Sequence, residues 1–238
     1  MRIDREIILS VLKLTQQGTA QKDHVAQDAH TPNDITSEVL RKLKEKNLIK
    51  VDGNNITTEP KQRVELAIEA IRQGADLQHT SRFLSWKEFE NITATAFSSN
   101  GYAVKRNFHF KAANRRWEID LIACNRPRIV CADCKHWQRG WSRSAVEKVA
   151  DAQAERTKAF ADSLQRFAED LGLRKWTNAI VVPIVVALAA SPINMCDGLP
   201  VVSVLQLQDF INGLPAQTGF LTHFSTIVTD VSRKLTEF

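Results

Sequence analysis

The 238-residue sequence predicts an α/β protein in which a mixed sheet is flanked by helices and preceded by a helical domain with a short hairpin. Within the first sixty residues, three helical patterns are followed by two short runs of strand-forming residues. From residue 83 onwards, strand and helix patterns alternate, which is typical of an α/β domain. A polar stretch separates the two parts, so we expect a first domain at 1–75, a linker at 76–82 and a second domain at 83–238.

Helical periodicity defines the elements of the first domain. In the third helix, Val39 and Leu43 lie on one side and basic residues on the other. Two strand-forming runs on either side of Gly53 then predict a hairpin. The predicted elements are helices at 4–14, 21–29 and 34–47, a hairpin over 48–58 and a helix at 59–71.

This order of three helices and a hairpin resembles the winged-helix family. The resemblance implies that the third helix enters the major groove of DNA, with positive charge supplied by Lys42, Lys44 and Lys46. Residues 1–74 contain twelve basic and eleven acidic residues, so this domain is nearly neutral. Because winged helices also bind proteins, contact with a partner protein is the alternative.

The second domain begins with an amphipathic helix that is ended by Asn100 and Gly101. Further along, the apolar run 179–190 contains Pro183 and is shorter than the roughly twenty residues that span a bilayer. We therefore expect a strand buried on both faces, no membrane contact and a cytoplasmic protein. The predicted elements are a helix at 83–99, strands at 102–110, 117–124 and 128–135, a helical region at 142–171, strands at 178–190 and 200–205, and helices at 207–212 and 222–235.

Positive charge is concentrated in one segment of the second domain. The chain has a formal net charge of +5 and a pI of about 9.1. Residues 101–148 contain eleven Lys and Arg against four Asp and Glu, so this segment alone carries +7. An anionic substrate is therefore expected there, and nucleic acid is the natural class. The residues expected to contact its phosphates are Arg115, Arg116, Arg126, Arg128, Arg139 and Arg143.

Two neighbouring strands bring acidic residues together. If residues 125–128 form the loop of a hairpin, Asp120 lies opposite Asp133 and Glu118 lies opposite Lys135. Like charges facing each other destabilise a sheet, so something must neutralise these carboxylates. Lys135 provides part of that charge, and a hard divalent cation would provide the rest. The alternative is a surface patch of salt bridges without a metal.

Asp120, followed by Asp133-Cys134-Lys135 at the end of the next strand, resembles the PD-(D/E)XK motif of restriction-endonuclease-like nucleases. Glu90, on the preceding helix, resembles the helix glutamate of Mrr-like enzymes and archaeal Holliday-junction resolvases. The resemblance implies a restriction-endonuclease-like fold and catalytic roles for these four residues. It also implies that Asp120, Asp133 and Glu90 bind Mg²⁺ or Mn²⁺.

The sequence departs from the motif at two positions. Ile119 stands where the motif has its proline, and Glu118 stands where Mrr-like enzymes often have glycine. The role of Glu118 is therefore open. The candidate accessory residues are Glu118, His136 and Gln153.

Together these features predict a metal-dependent endonuclease that hydrolyses DNA, either structure-specific or restriction-like. The resemblance to resolvases implies a homodimer, and a helicase or repair protein is a further expected partner. Two alternatives stay open at this point. One is a catalytically idle winged-helix adaptor that uses the nuclease fold as a scaffold. The other is a nuclease directed at RNA.

Overall fold

The computed structural model describes residues 2–135, 142–188, 191 and 193–228. Backbone packing divides the chain into two compact units, residues 1–92 and residues 93–238. Two of the predicted site residues, His136 and Arg139, lie outside the described residues. No helix among the described residues is long and apolar enough to cross a membrane.

The first unit contains the predicted helices and hairpin. Its elements are α1 (Arg2–Leu14), β1 (Ala20–Gln21), α2 (Lys22–Asp28), α3 (Asn33–Glu45), β2 (Lys50–Asp52), β3 (Asn55–Thr57), α4 (Pro60–Arg72) and α5 (Leu77–Ser81). The strands form an antiparallel sheet of order β1-β3-β2. Strand β1 was not predicted, because two residues are too few to show an alternating pattern. Apolar side chains of α1, α3 and β3, such as Ile7, Leu40 and Ile56, form the buried core.

A buried ion pair ties residue 88 to the first unit. The guanidinium of Arg63 on α4 donates to a carboxylate oxygen of Glu88 at 2.6 Å. The same guanidinium donates to the carbonyl of Leu12 and the hydroxyl of Thr15, so its charge is well satisfied although it is buried. The unit therefore extends past the predicted linker at 76–82, which contains α5.

The boundary between the units falls within α6 (Trp86–Ser99). The helix ends as predicted, with Gly101 at a φ of +78°. The N–H of Tyr102 donates back to the carbonyl of Phe97, which satisfies one of the last helical acceptors.

The second unit is built on a mixed sheet, as predicted. Its strands are β4 (Ala103–Ala112), β5 (Arg115–Asn125), β6 (Arg128–Lys135), β7 (Asn178–Ala187), β8 (Met195–Cys196), β9 (Leu199–Ser203) and β10 (Phe224–Ile227). The strand order is β4-β5-β6-β7-β9-β8, and β10 also pairs with β7. Strands β4, β5 and β6 are antiparallel, whereas β6, β7 and β9 run parallel. Strand β7 is buried along nearly all of its length, which confirms the interpretation of the long apolar run.

Helices α7 (Arg143–Asp162) and α8 (Leu207–Gln217) complete the second unit. Phe160 of α7 is fully buried in an apolar cluster with Ile122 of β5 and Cys131 of β6. This packing fixes α7 against the face of the sheet that carries Cys131, and therefore also Asp133 two residues later.

The predicted helix at 222–235 is wrong over its first part. Residues 224–227 form β10, which pairs antiparallel with β7 so that Phe224 faces Val181. A free edge of β7 next to residues with alternating burial favours strand pairing over a helix. Residues 229–238 lie outside the described residues.

Candidate active site

The hairpin of β5 and β6 has the predicted register. Leu121 pairs with Ala132 and Asn125 pairs with Arg128, so the turn is the two residues Arg126 and Pro127. The regular pairing stops at Leu121. Beyond it, a side-chain contact replaces the backbone pairing. The Oδ2 of Asp120 accepts a hydrogen bond at 2.8 Å from the backbone N–H of Cys134. The carboxylate of Asp120 is thereby held at the backbone of Cys134, the residue between Asp133 and Lys135 in the sequence.

An irregularity in β4 accompanies Asp120. The pairing of β4 with β5 skips Asn107 and Asp120, and Asn107 has a φ of +51°. As a result, Ile119 packs in the same apolar cluster as Ile122. Uninterrupted alternation along the strand would have placed Ile119 on the opposite face, with Leu121.

Asp133 is the most buried charged residue of this site, with 2% of its surface exposed. Lys135 and Arg156 both contact it. The Lys135 Nζ lies 3.0 Å from Oδ2 of Asp133, and the Arg156 Nη1 donates to Oδ1 at 2.7 Å. Two cations therefore compensate one buried carboxylate, and a second carboxylate, that of Asp120, lies on the adjoining strand.

Helix α7 supplies the residues that position Asp133. Gln153 is fully buried, and its amide nitrogen donates to the carbonyl of Cys131 at 2.7 Å. Its amide oxygen accepts from Arg156 at 2.9 Å. Gln153 thus contacts both the middle of β6 and the guanidinium that holds Asp133. Sequence reasoning named Gln153 but missed Arg156, although the spacing of three residues on one helix puts the two side chains on one face.

Burial raises the pKa of Asp120 to about 6. The hydrogen bond from Cys134 and the charges of Lys135 and Arg156 lower this pKa, while the negative charge of Asp133 raises it. The net result is a carboxylate that is costly to ionise without additional positive charge. A bound cation would supply that charge.

The donor set fits a small hard cation. Oδ2 of Asp133 is buried without a hydrogen-bond partner among the described residues, although Lys135 contacts it as an ion pair. Such an oxygen retains free acceptor capacity near a second, half-buried carboxylate, that of Asp120. Mg²⁺ commonly binds one or two carboxylates and completes its shell with waters and phosphate oxygens. Within the described part of the chain, no three His, Cys, Asp or Glu side chains converge on one metal position.

The prediction that Glu118 lies opposite Lys135 is wrong. The pairing of β5 with β6 ends before it reaches Glu118. Glu118 pairs instead with His109 of β4, and the His109 ring lies 3.9 Å from the Glu118 carboxylate. The Glu118 side chain is 54% exposed. The predicted cluster of three hairpin carboxylates is therefore a pair, Asp120 and Asp133.

Glu90 lies on α6, in the part of that helix assigned to the first unit. Its carboxylate accepts a hydrogen bond from the indole N–H of Trp86, one turn earlier on the same helix. Its role as a third metal ligand rests on the sequence resemblance and stays a prediction.

The arginines expected to contact phosphate are mostly exposed. Arg116 and Arg126 are exposed, and Arg128 is half-buried. Arg115 and Arg143 are exposed and form ion pairs with Glu155 and Glu147 of α7, at 3.2 Å and 2.8 Å. Those pairs are at the surface, where water screens them, so both guanidinium groups stay available to a phosphate.

The three lysines of the first unit that were predicted to contact DNA are exposed, but each has a nearby acceptor. Lys42 lies 3.4 Å from Glu38, and Lys46 lies 3.6 Å from Glu69. Lys44 donates to the backbone carbonyl of Val51. The acidic neighbours offset much of the positive charge, so DNA binding through this surface stays a prediction.

Comparison with known proteins identifies one family with a related domain. Residues 85–186 match the model of the family described as "Nuclease-related domain". The matched region includes Glu90, Asp120, Asp133, Lys135 and Gln153. An uncharacterized protein of Archaeoglobus fulgidus is 26% identical over 141 residues, which are 58% of this chain and the whole of that protein.

Solved structures give weaker similarities. A protein from Vibrio cholerae is 12% identical with a TM-score of 0.39, covering 92% of this chain and 57% of that one. Restriction endonuclease FokI is 14% identical with a TM-score of 0.34, covering 91% and 44%. A crystallised protein of unknown function is 14% identical with a TM-score of 0.31, covering 48% and 57%. The chain thus spans about half the length of these solved proteins.

The family match and the carboxylate pair concern the same strands. The matched residues 85–186 run from the start of α6 into β7 and so include the β5–β6 hairpin and α7. Residues 85–186 are therefore similar to the nuclease-related domain.

Proposed function

We propose that this protein is a divalent-metal-dependent endonuclease that hydrolyses phosphodiester bonds of DNA. The observation that carries the proposal is the buried carboxylate of Asp133, whose Oδ2 has no hydrogen-bond partner among the described residues, next to Asp120 with its raised pKa of about 6. A purely structural ion pair needs one carboxylate and one cation. Lys135 and Arg156 both contact Asp133, whereas the half-buried carboxylate of Asp120 stays costly to ionise. A ligand that carries positive charge would explain this second carboxylate.

Asp120 and Asp133 would hold Mg²⁺ or Mn²⁺. When bound, such a cation stabilises charge on a phosphate oxygen and makes a coordinated water more acidic. Asp120 is oriented for this role by the N–H of Cys134, and Asp133 by Arg156. Because these contacts come from a strand and from helix α7, the two carboxylates are held in place before the substrate arrives.

Lys135 is the proposed catalytic cation. Its side chain is 28% exposed, so the ammonium group borders both the buried carboxylate and the solvent. In that position it can orient the attacking water or stabilise negative charge that develops on the transferred phosphate. Arg156 is a positioning residue in this proposal, because it acts on Asp133 rather than on the substrate.

The first unit is proposed to hold the duplex as a winged helix. The order of its helices and hairpin supports this, and so does the exposure of Lys42, Lys44 and Lys46. The acidic neighbours of two of these lysines favour a second candidate role, contact with a partner protein. The homodimer and the helicase or repair partner stay predictions.

A cleavage panel tests the proposed function. Purified protein is incubated with Mg²⁺ or Mn²⁺ and with linear, flapped, branched and methylated DNA, and with RNA of matched sequence. We expect cleavage of DNA that EDTA abolishes and that Asp120→Ala lacks. Cleavage of RNA alone would replace the DNA assignment with a ribonuclease. Absence of cleavage on every substrate would favour the adaptor with an idle nuclease fold.

A further inference from the structure

A cationic site lies at the turn of the β4–β5 hairpin. Its walls form a concavity of about 440 Å³ lined by the turn residues Ala113 and Asn114 together with Lys111, Ala112, Arg115, Arg116 and Arg166. We define the four cationic side chains Lys111, Arg115, Arg116 and Arg166 as the hairpin cluster. All four are exposed. Such a concave surface of one sign attracts a polyanion more strongly than isolated surface charges do.

The hairpin cluster has an unbalanced charge. Glu155 pairs with Arg115 at 3.2 Å, and it is the acidic side chain that contacts the cluster among the described residues. Lys111 and Arg116 have no ion-pair partner in the described part of the chain. The cluster thus carries four positive charges, and one carboxylate, that of Glu155, contacts it and is 62% exposed.

Two members of the cluster are held in place by neutral contacts. The Arg115 guanidinium lies 4.0 Å from the centre of the Trp117 ring, and Arg166 donates to the backbone carbonyl of Lys111 at 3.2 Å. Arginines fixed in this way lose less side-chain freedom when a phosphate binds, which favours binding. The cluster is therefore better organised than a set of free surface lysines.

The distance from the cluster to the carboxylate pair is set by strand β5. Arg115 and Arg116 precede Asp120 by five and four residues on this continuous strand. At about 3.3 Å per residue, the separation is about 13 to 17 Å. Along a DNA duplex, where phosphates of one strand advance by about 3.4 Å each, this equals about four or five base pairs.

We propose that the hairpin cluster binds backbone phosphates of the nucleic-acid substrate about four or five base pairs from the bond that is cut. The inference rests on the proposed nuclease function for the distance between the bound phosphates and the cut bond, but the binding itself does not need cleavage. It gives the enzyme a minimum substrate length on one side of the cut. The contacts are to phosphates, so they add affinity without reading sequence.

The test uses the full chain with Lys111→Glu/Arg116→Glu, because neither native side chain has an ion-pair partner in the described structure. Its control is Lys158→Glu/Lys175→Glu, which changes the net charge equally at exposed positions elsewhere on the same unit. Fluorescence anisotropy measures the Kd for a 30-base-pair duplex in EDTA across a range of NaCl concentrations. Thermal unfolding verifies that all proteins are folded.

We expect the cluster variant to bind the duplex about 10- to 100-fold more weakly. The slope of log Kd against log NaCl concentration should become shallower by about two, because about two fewer counterions are released on binding. The control should remain within about twofold of wild type. In cleavage assays the cluster variant should raise KM and leave kcat near the wild-type value, since the cluster lies away from the reacting bond.

The proposal is overturned if the cluster variant binds the duplex as tightly as the control, or if kcat falls while the Kd is unchanged. A wild-type protein that binds no nucleic acid would also overturn it. Failure of the proposed function looks different. In that case wild type binds DNA and loses affinity on mutation of the cluster, yet no substrate is cut.

A second variant guards against misfolding. Arg166→Gln removes the charge but keeps a donor for the carbonyl of Lys111. It should weaken binding less than the double variant and leave the unfolding temperature unchanged. Wild-type affinity in this variant and in the double variant together would exclude the hairpin cluster as a phosphate site.

Discussion

The Nη1 atom of Arg156 lies 2.7 Å from Oδ1 of Asp133, so a helix residue compensates the most buried carboxylate of the candidate site. Removing one partner of a buried ion pair is strongly destabilising, because the other charge is left uncompensated. We expect Arg156→Met to lower the free energy of unfolding by about 2 to 4 kcal/mol, measured by urea unfolding in EDTA. Lys135 limits the loss, since it still contacts Asp133.

The same variant should gain more stability from metal than wild type does. With Arg156 absent, a cation bound at Asp133 replaces the missing positive charge, and ligand binding to the native state raises stability. The control is Arg174→Met, whose pair with Glu169 is exposed at the surface. The free energy of unfolding of this control should fall by no more than about 1 kcal/mol, independently of Mg²⁺. Equal effects of Mg²⁺ on both variants would contradict the role of Asp133 in binding metal.

Asp120 predicts a pH dependence of stability in the absence of metal. Burial raises its pKa to about 6 from an ordinary value of 3.8, so the folded protein binds more protons than the unfolded chain between these values. Stability should therefore fall as the pH rises from about 4 to about 6 and stay low above that. The full shift corresponds to about 2 to 3 kcal/mol as an upper bound.

Asp120→Asn is the matched variant for this prediction. The amide oxygen of Asn can still accept the hydrogen bond from Cys134, but the side chain does not ionise. In EDTA at pH 7 the variant should be more stable than wild type, with a weaker pH dependence between pH 4 and 6. A variant that is less stable than wild type at pH 7 would show that the ionised Asp120 does not destabilise the folded protein. A wild type that gains stability between pH 4 and 6 would show the same.

Glu118 and Asp133 were both expected in one carboxylate cluster, and the structure separates them. Glu118 is exposed beside His109, so Glu118→Gln should change kcat by less than about threefold and leave the unfolding free energy within about 0.5 kcal/mol. Asp133→Asn should lower kcat by at least about 100-fold, in the range seen when a metal ligand or charged catalytic group is lost. Steady-state cleavage assays measure both. A large loss of kcat in Glu118→Gln would instead show that Glu118 belongs to the active site.

Lys135→Ala should lower kcat by about 100- to 1000-fold and change the Kd for DNA by less than about threefold, because its charge matters most as the transition state forms. The control is Lys158→Ala on α7, an exposed lysine outside the site. Single-turnover kinetics separate binding from chemistry. If kcat and binding fell equally, Lys135 would be a substrate-binding residue and not a catalytic one.

The sequence was sufficient to predict the part of the site that follows from local alternation. Apolar residues on both sides of the turn define one register for β5 and β6, and a shift by one residue would have exposed them. The long strand β7 was equally clear, because its apolar run is too short for a membrane and is interrupted by proline.

Other features depend on distant or irregular contacts. Arg156 lies 23 residues beyond Asp133, and nothing local shows that α7 packs over the end of β6. Glu118 was misplaced because the prediction assumed regular pairing as far as Lys135. An Asn at position 107, a residue type that tolerates positive φ, is a weak signal of the irregularity that accompanies Asp120. Strand β10 was missed since its partner β7 is more than forty residues away.

The central claim is that Asp120 and Asp133 hold a divalent cation that phosphodiester cleavage requires. Single-turnover DNA cleavage as a function of Mg²⁺ concentration, for wild type and Asp120→Asn at pH 7.5, tests it most directly. We predict that the wild-type rate saturates with Mg²⁺ and vanishes in EDTA, and that Asp120→Asn is at least about 100-fold slower while its affinity for DNA is unchanged. Cleavage that continues in EDTA, or an Asp120→Asn variant as fast as wild type, would contradict the claim.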